Sequence, residues 1–230
     1  MLQLQRQNDI LRLLKKEKEL TVKEICAALY VSPATVRRDL CELEKQGHIK
    51  RSFGGAVLNE SFFDQQPLSI RGMKNVSEKQ KLCAKAAHFL HEGDTVFIDA
   101  SSTTYFLASF LKDVPDITVI TNNPYLNIIL SKMNIQNYCT GGQMLNSSLA
   151  LVGSEAERFV RGIRADAFFF SARGICDGEI FDSSKAERDI KIAMLENSAK
   201  RYFLADNSKI GQTFPYLIAK KEALDEIITE

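Results

Sequence analysis

The stretch VSPATVRRDLCELEKQGHIKRSFGGAV, residues 31–57, decides how this chain is read. Ser32 can cap a helix through its hydroxyl, and Pro33 then falls at the first helical position, where a missing N–H costs nothing. Val36, Leu40 and Leu43 recur at helical spacing, so one stripe is expected to be buried. The helix is expected to run to about Gln46, with Gly47 as its stop. Beyond it, residues 48–51 read as a strand, 52–55 as a glycine turn and 56–58 as a returning strand. Lys50 and Arg51 stand on that hairpin.

Toward the N-terminus, Gln7, Ile10, Leu13 and Leu14 share one face of a helix expected over 6–16. Leu20-Thr21 breaks it, and Thr21 with Glu24 three residues on makes a capping box for a second helix over 22–29. That helix is expected to bury Ile25, Ala28 and Leu29, and a tight turn at Tyr30-Val31 leads back to Ser32. Two short helices joined by a tight turn make a helix-turn-helix, and the hairpin after them makes its wing. Ser32, Pro33, Ala34 and Thr35 are small enough for the front of the third helix to enter a DNA major groove. Arg37 and Arg38 can divide between a guanine edge and a phosphate, with Lys50 and Arg51 on the backbone beside the groove. A solvated helix face, with Arg38 paired to Glu42, accounts for the two arginines taken alone. The wing behind them tips the reading toward DNA. Charge agrees: residues 1–58 hold 11 Lys/Arg against 7 Asp/Glu, a balance of +4, within a chain of net charge +1.

The same stretch resembles the DNA-binding signature of DeoR-family regulators, which read V-S-x-x-T-[IV]-R-R-D-L, then L-E-x-x-G, then R-x-x-G-G-A. Agreement extends over residues 31–56, Asp39-Leu40 and Gly54-Gly55-Ala56 included. The resemblance implies an N-terminal winged helix-turn-helix over residues 1–58, a linker over 59–76 and an effector-sensing domain over 77–230. Within the linker, residues 67–71 resemble the family's own link.

From residue 77 onward helical and strand patterns alternate, which predicts a mostly parallel sheet covered on both faces. Ser77 with Gln80 is expected to box a helix to about His91, with Leu82, Ala86 and Leu90 inward. Strands are expected at 95–99, 117–121, 135–139, 165–170 and 202–205. Helices are expected at 103–111, after Asn123-Pro124, from a Ser154/Glu157 box to near Gly162, and from a Ser184/Glu187 box to about Ser198. In such sheets ligands sit beyond the carboxyl ends of the strands. Four of those ends carry suitable groups. Asp99-Ala100-Ser101-Ser102-Thr103-Thr104 places hydroxyls at a helix start, a phosphate cradle or a simple N-cap. Thr121-Asn122 can bond sugar hydroxyls. Gly141-Gly142 permits close approach of a backbone, or marks a turn. Asp206-Asn207-Ser208-Lys209 offers a carboxylate beside an ammonium, or a surface turn.

These ends resemble the sensor half of the same family, whose fold is like that of ribose-5-phosphate isomerase and CoA-transferase. Family members read D-x-G-[ST]-T-[ST], T-N, G-G, E-x-x-x-K and D-x-S-K in that order, and Glu187 with Lys191 supplies the fourth. The resemblance implies that Ser102, Thr103 and Thr104 hold a phosphate, that Lys209 adds positive charge and that Asp99 faces the sugar. Two departures stand out: Ser101 replaces the usual glycine, which is expected to reshape the loop or weaken its grip. The chain also ends at Thr229-Glu230, about a strand and a helix before its relatives, so a sheet edge is expected to lie open. The loop at 173–178 is charged and a candidate to face the ligand, with no firm place assigned.

Composition sets limits on the function. An apolar fraction of 45% and a charged fraction of 26% are those of an ordinary globular chain. No opening basic stretch leads into an apolar run, and no apolar run is long enough for a bilayer, so a cytoplasmic protein without membrane contact is expected. Cys26, Cys41, Cys83, Cys139 and Cys176 are scattered, odd in number and lack metal-ligand spacing, which fits reduced thiols. No cofactor or metal is expected. The expected partners are double-stranded operator DNA, a phosphorylated sugar and further copies of the chain, as a homodimer or homotetramer. A sugar-phosphate isomerase, with Asp99, Glu187 and Lys209 as acid–base candidates, is the alternative from another class. A regulator that answers to an unphosphorylated ligand or a protein partner is the third.

Overall fold

The computed structural model describes residues 3–17, 19–45, 49–52, 54–58 and 73–230. The expected helix stop at Gly47, His48 of the first wing strand and most of the expected linker, 59–72, lie outside these. The chain divides into two compact units, Met1–Gln66 and Pro67–Glu230.

The first unit runs α1 (Gln3–Glu17), β1 (Glu19–Thr21), α2 (Val22–Leu29), α3 (Pro33–Lys45), β2 (Ile49–Ser52) and β3 (Gly55–Leu58). Its core is one stripe from each helix: Ile10 and Leu14, Val22 and Ile25, then Val36, Leu40 and Leu43, closed by Ile49 and Ala56 of the wing. The Thr21–Glu24 capping box forms in both directions. Tyr30 ends α2 in the left-handed region at φ 54° and is almost fully exposed. Two expectations are corrected. Ala28 is exposed, because Val22 takes its place on the buried stripe. Residues 19–21 are a third wing strand, not a plain break, pairing antiparallel with β3. Glycine is required at Gly55 for that reason: a Cβ there would come within 2.9 Å of Thr21 Cα.

The second unit is built on six parallel strands: β4 (Thr95–Ile98), β5 (Thr118–Thr121), β6 (Gln136–Cys139), β9 (Ala165–Phe170), β12 (Ser198–Leu204) and β14 (Glu226–Ile228). Their spatial order is β14-β12-β9-β4-β5-β6. Side chains alternate between two cores. Val96, Ile98 and Phe169 pack under α4 (Val76–Ala86), α5 (Ala108–Leu111) and α6 (Pro124–Lys132). Phe97, Phe168, Phe170 and Phe203 pack under α7 (Ser154–Arg161) and α8 (Lys185–Glu196). A short hairpin, β7 (Gln143–Met144) with β8 (Leu151–Val152), precedes α7.

Several local expectations change. Ser77 lies inside α4; its N-cap is Asn75, at φ 51° and without a side-chain cap, and the helix tightens to a 3-10 turn at Ala87–Phe89. Ser154 is likewise inside α7, capped by Gly153 at φ 95°, and its hydroxyl bonds Glu155 instead. The segment after Thr103 begins as a 3-10 turn, Thr104–Leu107, before α5. Sequence periodicity gave no sign of the antiparallel sheet of β10 (Gly174–Cys176), β11 (Glu179–Asp182) and β13 (Tyr216–Lys220). It absorbs the charged loop left without a firm place.

Candidate functional site

The order of the parallel strands fixes where a ligand fits. Counted along the chain and read from the β6 edge, they run 3-2-1-4-5-6, so successive crossovers leave in opposite directions between β4 and β9. Loops beyond those two carboxyl ends diverge and open a crevice. A cavity of about 390 Å³ lies there, walled by Ala100–Thr103 after β4, Ser171–Arg173 after β9 and Asp206, Ser208 and Lys209 after β12.

The loop after β4 is held from beneath. Asp99, 1% exposed, accepts the Thr104 hydroxyl at 2.8 Å, and the Thr104 N–H donates to Ser101 Oγ at 3.1 Å. With Thr104 and Ser101 bonding each other, Ser102 and Thr103 are the hydroxyls left facing the cavity. Each is approached by an ammonium. Lys79, on the buried face of α4, donates to Ser102 Oγ at 3.1 Å, and Lys209 donates to Thr103 Oγ1 at 3.0 Å and also to Ser171 Oγ. Asn122 presents its side chain to the same space. Its Nδ2 donates to the Leu151 carbonyl at 3.0 Å, while its buried Oδ1 has no hydrogen-bond partner among the described residues.

A second cluster stands on α8 and β11. Lys191 bonds Asp182 at 2.6 Å and lies 3.6 Å from Asp99 Oδ2. Burial works against the Lys191 charge, but Asp182, Asp99 and Glu187 outweigh it and hold the ammonium above its ordinary range. Burial also opposes the Asp182 carboxylate, yet Lys191 and then Arg173 keep it below the usual value. For Asp99 burial wins over the pull of Lys191 and the Thr104 hydrogen bond, and its carboxyl is pushed up. Ser184 caps α8 by accepting the Glu187 N–H at 3.3 Å, and the Glu187 side chain lines the cavity. The wall carries five cationic side chains, Lys74, Lys79, Arg173, Lys191 and Lys209, against three carboxylates, Asp182, Glu187 and Asp206. That excess of two positive charges complements a doubly charged monoester.

On the first unit, Ser32 Oγ accepts the Thr35 N–H at 3.3 Å, so the front of α3 is capped as its sequence demands. Ser32, Pro33, Ala34, Arg37 and Arg38 are exposed along one side of α3, with Thr35 half-buried, and Lys50 and Arg51 are exposed on β2. Asp39 points the other way: fully buried, it takes a bidentate pair of hydrogen bonds from Arg6 of α1.

Both units match known sequence families, the DeoR-like helix-turn-helix domain over residues 6–62 and the DeoR C terminal sensor domain over 74–230. The chain belongs to the DeoR family. Among its relatives, the HTH-type transcriptional repressor GlcR of Bacillus subtilis is 36% identical, covering 96% of this chain and 86% of the relative. The lactose phosphotransferase system repressor of Staphylococcus epidermidis is 31% identical, covering 98% and 91%. Among solved structures, eIF2B delta from Chaetomium thermophilum superposes with a TM-score of 0.51 at 15% identity, over 68% of this chain and 56% of that one. That likeness concerns the fold alone.

In this DeoR-family chain the cavity brings together Ser101, Ser102, Thr103, Asn122, Glu187, Lys191, Asp206 and Lys209 of the residues singled out from sequence. Four positions and one glycine pair behave otherwise than expected. Asp99 and Thr104 lie behind the wall, where they brace each other. Thr121 is buried and its hydroxyl accepts the Asn123 N–H at 3.0 Å. The close approach at Gly142 is to β8 and α7, since a Cβ there would meet the Val152 carbonyl oxygen at 2.5 Å and Ala156 Cβ at 3.0 Å, and Gly141 is likewise off the wall. Ser101 is outside the left-handed region, so serine is unstrained where the family has glycine; its hydroxyl takes over the Thr104 N–H. Sequence reasoning missed Lys74, Lys79 and Asp182, and for Arg173 it named only the loop as a candidate to face the ligand. Lys79 did leave a signal, a lysine three and four residues before Leu82 and Cys83 on an apolar stripe. Among the described residues no cluster could hold a metal, and no helix is long and apolar enough to cross a membrane.

Proposed function

We propose that this DeoR-family chain is a DNA-binding repressor of sugar-metabolism genes whose operator affinity is set by a phosphorylated sugar. The observation that carries the effector half is the crevice beyond β4 and β9, where Lys79 and Lys209 bracket the Ser102 and Thr103 hydroxyls. A phosphate at those hydroxyls has charge-assisted donors on both sides. The buried Asn122 Oδ1 is an acceptor for a sugar hydroxyl, and Glu187 and Asp206 are further acceptors on the same wall. Asp99 and Thr104 brace the loop from behind.

On this reading residues 1–58 contact DNA, 59–76 form the connection and 77–230 sense the effector. Ser32, Pro33, Ala34 and Thr35 enter the major groove, Arg37 and Arg38 reach base edge and phosphate, and Lys50 and Arg51 bind the flanking backbone. Two copies on paired half-sites make the working unit at least a dimer, acting in the cytoplasm. The lactose relative is named a repressor, and we read this chain as a repressor too, released by its effector.

Isothermal titration with a set of pentose and hexose phosphates, each beside its free sugar, tests the site. Saturable heat from one phosphosugar and none from its free counterpart is expected. Equal binding of the two would remove the phosphate from the account. For the sign of the response, a reporter under the chain's own operator should rise when the effector is supplied, and a fall would reverse the proposed release.

A further inference from the structure

Lys74 and Asn75, the two residues just before α4, line the cavity, and Lys79 reaches it from the first turn of that helix. Sequence reading placed the first two in the connection between the units. Asn75 holds the left-handed conformation at φ 51°, which asparagine tolerates better than most residues. The Lys79 N–H closes the first turn on the Asn75 carbonyl at 3.0 Å. One turn on, Cys83 Sγ donates to the Thr103 carbonyl at 3.2 Å. The opening turns of α4 are therefore tied to the two loop residues that face the cavity, one through its hydroxyl and one through its carbonyl.

The energetics favour a response at this point. Lys79 is 4% exposed, and a buried ammonium beside Ser102 gains further from a full negative charge brought against it. A dianion at Ser102 and Thr103 strengthens the Lys79 contact and draws on Lys74 at the same time. Along the chain α4 is the first helix of the sensor unit after residues 59–72, which lead from the winged unit.

We propose that the start of α4, through Lys74, Asn75 and Lys79, is the reporting arm of the site. A phosphate clamped between this arm and Ser102–Thr103 fixes the first turn of α4, the part of the sensor unit that follows residues 59–72 along the chain. The inference rests on the phosphate reading above and adds where occupancy becomes a signal. The arm already touches the loop through the Lys79–Ser102 and Cys83–Thr103 hydrogen bonds, and a ligand that bonds both sides favours the arrangement that keeps them together.

Hydrogen exchange read by mass spectrometry on the full chain tests it, with inorganic phosphate and glucose 6-phosphate as probes at ten times their calorimetric Kd. Amides that open only when the ligand has left then exchange about tenfold more slowly. Slowing is expected in peptides covering 76–83 together with those covering 101–104. Slowing at 101–104 with 76–83 unmoved, or slowing along 185–196 instead, overturns the arm and leaves the phosphate site intact. Absence of saturable heat and of any slowing overturns both. In Lys79→Gln, phosphate Kd is expected to rise at least tenfold, and at matched saturation the slowing at 76–83 should vanish while that at 101–104 persists. Unchanged exchange in 165–170 confirms that this variant is folded, and the wild-type result decides the matter by itself if it is not.

Discussion

Asp39 directly follows the two arginines of α3 and faces the opposite way, into the core. Its pair with Arg6 ties α3 to α1 beneath the surface that carries Arg37 and Arg38. Asp39→Ala removes two charge-assisted hydrogen bonds between α1 and α3 and should cost the winged unit about 2 kcal/mol. In a unit this small that corresponds to a melting temperature lower by roughly 10 °C or more, measurable by circular dichroism. A drop of only a degree would mean that the pair contributes little. Arg37→Ala and Arg38→Ala should leave melting unchanged and weaken operator binding. Loss of a guanine contact costs about 1–3 kcal/mol and relaxes sequence preference, whereas loss of a phosphate contact weakens all sequences alike and flattens the salt dependence. Two variants with wild-type affinity would return the arginines to a solvated helix face.

Asp182 makes a residue-scale prediction with a pH sign. Its folded pKa is depressed, so its contribution to stability is present above the ordinary carboxylate range and is lost as pH falls through the folded value. Asp182→Asn should therefore cost about 3 kcal/mol at pH 7 in urea unfolding, because it leaves Lys191 without its 2.6 Å partner. The gap between wild type and variant should shrink below pH ~4, where wild type also begins to lose the charge. A gap that widens toward acid pH would contradict this. Asp99 has the opposite sign. Its raised folded pKa makes its contribution fall as pH rises above the ordinary carboxylate value, so Asp99→Asn should flatten that part of the profile.

At the scale of elements, the loop after β4 answers a question raised by the sequence. Ser101 is unstrained, and its hydroxyl satisfies the buried Thr104 N–H, bracing the loop. Ser101→Gly removes that brace and should cost about 1 kcal/mol of stability in urea unfolding and weaken phosphate binding by calorimetry. Tighter binding would show instead that the serine competes with the ligand. Elements governed by local chemistry were legible. Thr21–Glu24, Ser32–Pro33, Asn123–Pro124 and Ser184 all cap helices where the sequence says they should, and β9 has the bounds its apolar run implies. Part of what escaped depends on distant partners. Strand β1 is three residues long and exists because β3 lies beside it, and β13 joins β11 from about 40 residues further along the chain. Arg173 and Asp182 flank the β10–β11 hairpin, which is local, and its Asp177-Gly178 turn was a signal left unread. Lys79 was within reach, since a charged residue on a buried stripe demands a partner.

At the scale of the whole molecule, two units carry two chemistries. One presents small residues and arginines on a helix backed by a wing, and the other holds a cation-rich crevice where parallel strands diverge. Neither face alone makes a regulator; the claim is that filling the crevice changes affinity at the helix. Such coupling is reciprocal, so operator DNA must shift effector affinity by the same factor as the effector shifts DNA affinity. Calorimetric titration of the effector into free and DNA-bound protein checks that equality. The most direct test of the account is fluorescence anisotropy of the full chain on DNA from its own upstream region, titrated with phosphorylated sugars and their free counterparts. The account predicts that one phosphosugar lowers DNA affinity several-fold while its free sugar does nothing. Tight DNA binding that no phosphosugar alters, or that free and phosphorylated sugars alter equally, would contradict it.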